Sequence, residues 1–560
     1  MDRKTYLNIW TWFIIIGVSI GLRCLFLQYN VWYDEACSWF TAIQSFPKGI
    51  LDNLLTLDLQ HTPLYFFGLH FWIKMFGDSE VAMRTLSLIF GVVTVPMVYL
   101  VAGKLTSKLN ATFATAISAV APLLVFFSVE IRMYPVAVFL VLLSLNYLID
   151  YEQKGDKKSL IKLVFANLLI PYTLVGAIFY NVTLWFCYGV YLFKSNKEKF
   201  VSYMKSVGVE FAMLIPYFVL IGYYAKMRSI FVIKHEGEFL FSHIVDLIRN
   251  FFGLSPVINV YWPFTEPYNI TFMFALAVIV PCAYFIYGYV QGLKNSKEFN
   301  KVLYVLFALI LLEFTISSYY QINVFTTRYI LYVLPPLIIL SIKGLANRLS
   351  SLHLKIFAVV FFIGGICSNL NYSMIVPVYR MQSFYAIRMI ADENKLDNRD
   401  LVIMPFGSDA PYYFRDKNAP RVLPFDFHKE VRNPYNKNFY DQAQTESILA
   451  GKKGQVIHEK VFSDVGFSDA HFNFFVDNVN KSIEKDRFVL IALFGSDAEA
   501  LVPIEDLRKS ITSVQDAESR CLEILLKKYL FDIRAYLDYD FNLVNAWSKD
   551  NYTYLLLKRK

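Results

Sequence analysis

Ile9-Trp-Thr-Trp-Phe-Ile-Ile-Ile-Gly-Val-Ser-Ile-Gly-Leu-Arg-Cys-Leu-Phe-Leu27 carries one charge, Arg23, in a stretch otherwise built from apolar and small residues. As a helix rising about 1.5 Å per residue, it is long enough to cross a hydrocarbon core of about 30 Å. It follows Met1-Asp-Arg-Lys4 and no small-residue cleavage motif closes it, so it reads as a retained span rather than a signal peptide. Just beyond it stands Val31-Trp-Tyr-Asp-Glu-Ala36, an acidic pair flanked by aromatic residues. Two carboxylates at the exit of a span set the question, because ionisable groups near a bilayer are costly and usually functional.

The rest of the 560 residues repeats the apolar half of this pattern. Hydrophobic residues make up 56% of the chain and charged residues 18%, against roughly 25% charged in soluble domains, which excludes an ordinary soluble enzyme. Further near-uncharged runs lie at about 82–101, 111–128, 134–150, 160–176, 177–193, 203–224, 270–293, 302–320, 329–345 and 355–370. The expected fold is therefore an all-α polytopic membrane bundle of about eleven transmembrane helices. The 160–193 stretch is too long for one span, and Pro171-Tyr172 gives the place where a hairpin would break.

Charge supplies an independent test of this layout. Lysines cluster at 104–108, 154–158, 194–199, 294–301 and 343–355, which are every second connection. The positive-inside rule makes those loops and the N-terminus cytoplasmic, in a multi-pass protein of the cell membrane. Connections 29–81, 129–133, 225–269 and 319–328 then lie outside, as does everything after about residue 370.

Near Arg380 the composition turns to that of a soluble domain, with short apolar strands such as Leu401-Val-Ile-Met404 and Phe488-Val-Leu-Ile-Ala-Leu493. We expect a transmembrane domain over 1–375, with a catalytic first outer loop at 29–81, and a small extracytoplasmic α/β domain over 376–560. From Arg380 onward 26 basic residues face 27 acidic ones, so the net charge of +8 arises in the membrane half, where 28 face 19. That excess reports topology, not nucleic-acid binding. The six cysteines fall mostly in apolar runs without a C-x-x-C, so neither a disulfide scaffold nor a thiolate metal site is indicated. We find no internal repeat, low-complexity tract or Gly-rich nucleotide loop.

Four more segments on the outer side carry chemistry: Asp58-Leu-Gln-His-Thr-Pro-Leu-Tyr65, Phe76-Gly-Asp-Ser-Glu-Val-Ala-Met-Arg84, Phe127-Ser-Val-Glu-Ile-Arg-Met-Tyr-Pro135 and Thr327-Arg-Tyr-Ile-Leu-Tyr-Val-Leu-Pro-Pro336. With the acidic pair, they resemble in order and spacing the motifs of the GT-C glycosyltransferases of the protein-O-mannosyltransferase and aminoarabinose-transferase superfamily. The resemblance covers about residues 5–345. It implies a polytopic enzyme that uses polyprenyl-phosphate sugars.

The resemblance also implies roles. Asp34 matches the general base that takes a proton from the acceptor as it attacks the anomeric carbon. The leaving lipid phosphate is stable as an anion, so one base suffices for inversion; retention would need a second, nucleophilic carboxylate, and none is identified. Glu35, grouped with Asp34 as catalytic, would orient a substrate or the loop, or is simply a solvated neighbour. Arg132 and Arg328 match donor-phosphate ligands, since a guanidinium keeps its charge and offers a forked pair of donors; each would otherwise be a snorkelling interfacial arginine. His61, Tyr65, Glu130, Tyr134 and Tyr329 are the candidate substrate-binding residues, weighed against a structural histidine and an interfacial tyrosine belt. Arg84 reads as a helix-entry anchor.

Glu210 and Glu313 lie inside apolar runs and are either functional carboxylates or hydrogen-bonding partners of neighbouring helices. His235, Glu236 and His243 fit no zincin spacing. No metal ligand is assigned and no cofactor is required, a divalent metal being the one left open. The expected activity is inverting transfer of a sugar from a polyprenyl-phosphate donor to an extracytoplasmic lipid, glycan or protein, within membrane lipids and without nucleic acid. The rival is a multi-span transporter or lipid flippase, which should concentrate polar residues at broken helices near the midplane.

Overall fold

The structure is a computed structural model of the chain, and it describes residues 3–56, 61–228, 251, 272–319, 327–380, 385–404, 410–424, 476–477, 479–494, 536–537, 539–549 and 552–560. Two compact units emerge: residues 1–30 with 37–379, and residues 31–36 with 380–560.

The first unit is helical. In chain order its helices are α1 (Arg3–Cys24), α2 (Tyr33–Ala42, whose first residues belong to the second unit), α3 (Lys48–Thr56), α4 (Pro63–Phe76), α5 (Glu80–Leu105), α6 (Lys108–Val120), α7 (Pro122–Phe127), α8 (Tyr134–Lys154), α9 (Lys157–Thr173), α10 (Ile178–Ser195), α11 (Lys197–Met213), α12 (Ile215–Arg228), α13 (Phe272–Asn295), α14 (Glu298–Tyr319), α15 (Leu334–Ala346) and α16 (Ser351–Arg380). Among the described residues six helical stretches are long and apolar enough to cross a membrane: Glu80–Leu105, Tyr134–Lys154, Val175–Ser195, Glu298–Ile316, Arg328–Ala346 and Ser351–Met374. A seventh arises if α11 and α12, bent by 50°, form one span, and Ile9–Cys24 is a shorter apolar helix. Large apolar side chains such as Phe165, Phe186 and Val219 point outward, as a lipid-facing surface requires.

The eleven expected spans are therefore not all present as single long helices. The run at 111–128 divides because Pro122 has no N–H to continue α6 and instead occupies the first position of α7. The 160–193 hairpin exists, but its break falls at Leu174, past Pro171, which α9 accommodates in its last turn. The segment 29–81, expected to be an outer loop, contains α2, α3 and α4.

Two kinds of contact hold the bundle. Where α13 meets α15 the backbones touch: a Cβ on Gly344 would land on the carbonyl oxygen of Gly288, and Gly288-x-x-x-Gly292 is the small-residue spacing that permits such an approach. Elsewhere polar groups pair across helices. Glu210 of α11 accepts from Asn167 Nδ2 at 3.2 and 3.3 Å and from Trp185 Nε1 at 2.7 Å, and Glu313 of α14 accepts from Thr183 Oγ1 at 2.7 Å. Both glutamates thus serve as hydrogen-bonding partners of neighbouring helices, the second of the two readings above.

The second unit holds α17 (Tyr385–Glu393), α18 (Ala410–Tyr413) and strands β1 (Leu401–Met404), β2 (Arg421–Pro424), β3 (Phe488–Phe494), β4 (Phe541–Lys549) and β5 (Tyr552–Arg559). They form one sheet of order β2-β1-β3-β5-β4. The β1 strand pairs in parallel with β2 and β3, whereas β5 is antiparallel to β3 and β4. Ile387, Ile390 and Ala391 of α17 pack on Val402, Leu490, Ala492, Tyr554 and Leu556. Buried Asp400 joins the starts of β1 and β3: it accepts from Phe488 N at 3.0 Å and pairs with Arg487 at 2.9 Å. The β1/β3 register, Val402 to Leu490 and Ile403 to Ile491, also reveals a short repeat that the sequence reading missed. At the same offset Phe406-Gly-Ser-Asp-Ala410 matches Phe494-Gly-Ser-Asp-Ala498.

Candidate functional site

The segment between α7 and α8 carries Glu130 and Arg132, and Tyr134 opens α8. All three are buried, although two are charged, so their placement depends on partners rather than on apolar packing. The Arg132 backbone N–H donates to Glu130 O at 2.7 Å. Its guanidinium donates to Ser38 Oγ on α2 at 3.2 Å, and its carbonyl accepts from Ser87 Oγ on α5 at 3.2 Å. The hydroxyls of Ser87 and Tyr65, the latter on α4, lie 2.9 Å apart.

Aromatic rings continue the cluster. Tyr134 meets Phe127 at 5.6 Å and Tyr329 at 6.2 Å between centroids, both edge-on. Arg328, 2% exposed, lies over the Tyr329 ring at 5.2 Å in the 3-10 turn Thr327–Val333 that leads into α15. Tyr65 contacts Phe66 at 5.9 Å, and Phe66 contacts buried His61 at 6.0 Å. The His61 carbonyl accepts from Tyr224 OH of α12 at 2.9 Å. Short contacts thus link Arg132 through Ser87 to Tyr65 and Tyr134 to Tyr329, while Arg328 stacks on its neighbour Tyr329 and His61 lies beside Phe66. Arg132 and Arg328 are each buried near tyrosine rings, and a guanidinium in such a setting can offer a forked pair of donors to a phosphate oxyanion.

Arg84 has the anchoring role read from the sequence. It is fully buried in α5 and donates to the carbonyls of Leu27 at 2.9 Å, Asn30 at 3.1 Å and Tyr29, the segment between α1 and α2. Arg23 works in a similar way at the α6/α7 break, donating to the Ala119 and Leu124 carbonyls at 3.2 and 3.5 Å.

Asp34 and Glu35 occupy the first turn of α2 and group with the second unit. Carboxylates there are favoured by the positive end of the helix dipole. The Glu35 side chain, fully buried, accepts from the Trp32 N–H at 3.4 Å, the return half of a capping box. Asp34 is half-buried. The chain entering this turn is held by Tyr413 of α18, whose hydroxyl donates to the Val31 carbonyl at 2.7 Å.

Sequence reasoning missed Ser38 and Ser87. The only available signal was that Ser38 follows Asp34 by one helical turn; nothing marks Ser87. Among the described residues no group of three or more His, Cys, Asp or Glu side chains could hold a metal ion, and His235, Glu236 and His243 lie outside the described residues.

The sequence of residues 60–218 matches the family model described as dolichyl-phosphate-mannose-protein mannosyltransferase. None of the curated proteins matches significantly. Among solved structures, the apo oligosaccharyltransferase of Archaeoglobus fulgidus aligns with a TM-score of 0.48 and 12% identity over 89% of this chain and 71% of that one. ArnT from Cupriavidus metallidurans aligns over 99% of this chain and 98% of its own at 10% identity, with TM-scores of 0.54 for the apo state and 0.57 for the state bound to undecaprenyl phosphate. The chain has the GT-C fold. Within this GT-C chain the family match takes in His61, Tyr65, Arg84, Glu130, Arg132 and Tyr134, and leaves out Asp34, Glu35, Arg328 and Tyr329.

Proposed function

We propose that this GT-C protein is an inverting glycosyltransferase of the cell membrane that moves a sugar from a polyprenyl-phosphate donor to an acceptor outside the cytoplasm. The observation that carries the reading is Arg132, buried at 3% exposure yet bonded at its backbone and its guanidinium, in the cluster that also holds Arg328. A charge so costly to bury and so carefully held suits a phosphate ligand better than a snorkelling anchor. The solved ArnT bound to undecaprenyl phosphate and the description of the matching family support the same donor class.

In the proposed step Asp34 takes the proton from the acceptor nucleophile while the nucleophile attacks the anomeric carbon from the face opposite the leaving group. The bond from that carbon to the phosphate oxygen breaks, and Arg132 and Arg328 stabilise the charge that collects on the lipid phosphate. The departing phosphate needs no proton, so no second acid is required. Glu35 fits the capping of α2 rather than the chemistry. In this reading the N-terminus is cytoplasmic and residues 376–560 form an extracytoplasmic domain. Against the flippase alternative, Glu210 and Glu313, two of the features it would use, hydrogen-bond residues of neighbouring helices.

The test is Asp34→Asn. Lipids and glycans from cells with and without the protein, compared by mass spectrometry, identify the missing sugar and its acceptor. With that pair, purified Asp34→Asn should insert and fold normally but lose transfer by about a hundredfold or more. Normal turnover would overturn the assignment.

A further inference from the structure

We propose that Ser38, Ser87 and Tyr65 are positioning residues that fix Arg132, with Tyr65 acting through Ser87 rather than touching the donor. The inference rests on the reading of Arg132 as a phosphate ligand and deepens it.

A carbonyl oxygen can only accept, so the 3.2 Å contact between Ser87 Oγ and Arg132 O uses the single proton of Ser87. The 2.9 Å contact between the Ser87 and Tyr65 hydroxyls must then use the proton of Tyr65, with Ser87 accepting. Donation therefore runs in one direction, from Tyr65 to Ser87 to the Arg132 carbonyl. This commits the proton that a substrate-binding tyrosine would offer to a phosphate or sugar oxygen. At the other end of the residue, Ser38 Oγ accepts from the guanidinium at 3.2 Å.

The geometry explains why such tethers are needed. Arg132 stands in a non-helical segment between α7 and α8, where no ladder of backbone bonds fixes the chain. Its backbone is held by its own bond to Glu130 O and by Ser87 of α5, while its side chain is held by Ser38 of α2. Ser38, Ser87 and Tyr65 are buried, so bulk water does not compete for these bonds. A guanidinium oriented before the phosphate arrives loses less freedom on binding it.

The experiment uses the full chain in lipid nanodiscs, with undecaprenyl phosphate as the probe and the thermal midpoint measured in parallel. Tyr65→Phe and Ser87→Ala should each weaken binding about tenfold, the scale of one hydrogen bond to a group that must be held in place. Because they break one chain, the double variant should bind about as weakly as Ser87→Ala alone. Ser38→Ala should weaken binding similarly, and Ser38→Thr, which keeps the hydroxyl, should restore it.

Multiplying effects in the Tyr65→Phe/Ser87→Ala pair would overturn the directional chain. Lowered thermal midpoints with unchanged affinity would reduce the three residues to packing and overturn the positioning role. If the wild-type protein shows no saturable binding of undecaprenyl phosphate, the functional reading itself fails and the positioning role falls with it. That failure is distinct, because it appears before any variant is compared.

Discussion

Replacing Arg84 by Met keeps the length of the side chain and removes every donor, leaving the carbonyls of Leu27, Tyr29 and Asn30 without the guanidinium. A hydrogen bond from a charged donor contributes roughly 1.5–3 kcal/mol, so three would total about 5–9 kcal/mol if they were additive. Two effects lower that figure. The neutral side chain no longer carries a desolvated charge, and the chain beyond α1 can relax to let water reach the freed oxygens. The net loss should be about 3–5 kcal/mol, in line with removing one partner of a buried charged network. Arg84→Lys should recover only part of it, because a compact ammonium cannot fork across three carbonyls. Thermal unfolding of the purified protein reads the total, and amide hydrogen exchange over residues 25–36 reads the location. The exchange should rise in that segment, which leads into the acidic turn of α2, and transfer dependent on Asp34 should fall with it. An unchanged midpoint together with unchanged exchange at 25–36 would show that Arg84 does not hold this segment.

The other outcomes concern packing and acid stability. Gly344→Val forces branched carbons onto the Gly288 backbone and should separate α13 from α15, at a cost of about 3 kcal/mol read as a lowered thermal midpoint; an unchanged midpoint would mean the two helices do not touch there. In the second unit the Arg399 side chain, then its backbone N–H, and the charge of Arg487 hold the Asp397 carboxyl at about 2, below its ordinary value near 3.8. A depressed carboxyl contributes stability that is present above the unfolded value and disappears as pH falls through the folded one. Acid unfolding of this unit should therefore steepen between about pH 4 and pH 2, and Asp397→Asn should lack that dependence. A variant with the wild-type pH profile would exclude Asp397 as its source.

Several of these residues are legible in the sequence alone. Arg84, at the start of an apolar run, already reads as a helix-entry anchor, but only the structure names its partners, the carbonyls of Leu27, Tyr29 and Asn30. Glu210 and Glu313 announced themselves as costly, but the sequence left two uses open. Only the Asn167, Trp185 and Thr183 donors chose between them. Ser38 and Ser87 were invisible, since serine is common on helices of every kind and its meaning lies in what it faces. The twin Phe-Gly-Ser-Asp-Ala segments were also overlooked, because five residues are too few to stand out until strand register supplies the alignment.

By itself the sequence determined the membrane habit, the change to a soluble composition near residue 380, and the cast of acids, arginines and tyrosines. These follow from transfer free energies and local chain geometry, which are properties of each residue and its near neighbours. The tertiary structure decided where apolar runs break or bend, which buried charges serve packing, and how Arg132 is tethered from α2 and α5. Those depend on hydrogen bonds between residues 45 and 94 positions apart, and no periodicity along the chain encodes such a meeting.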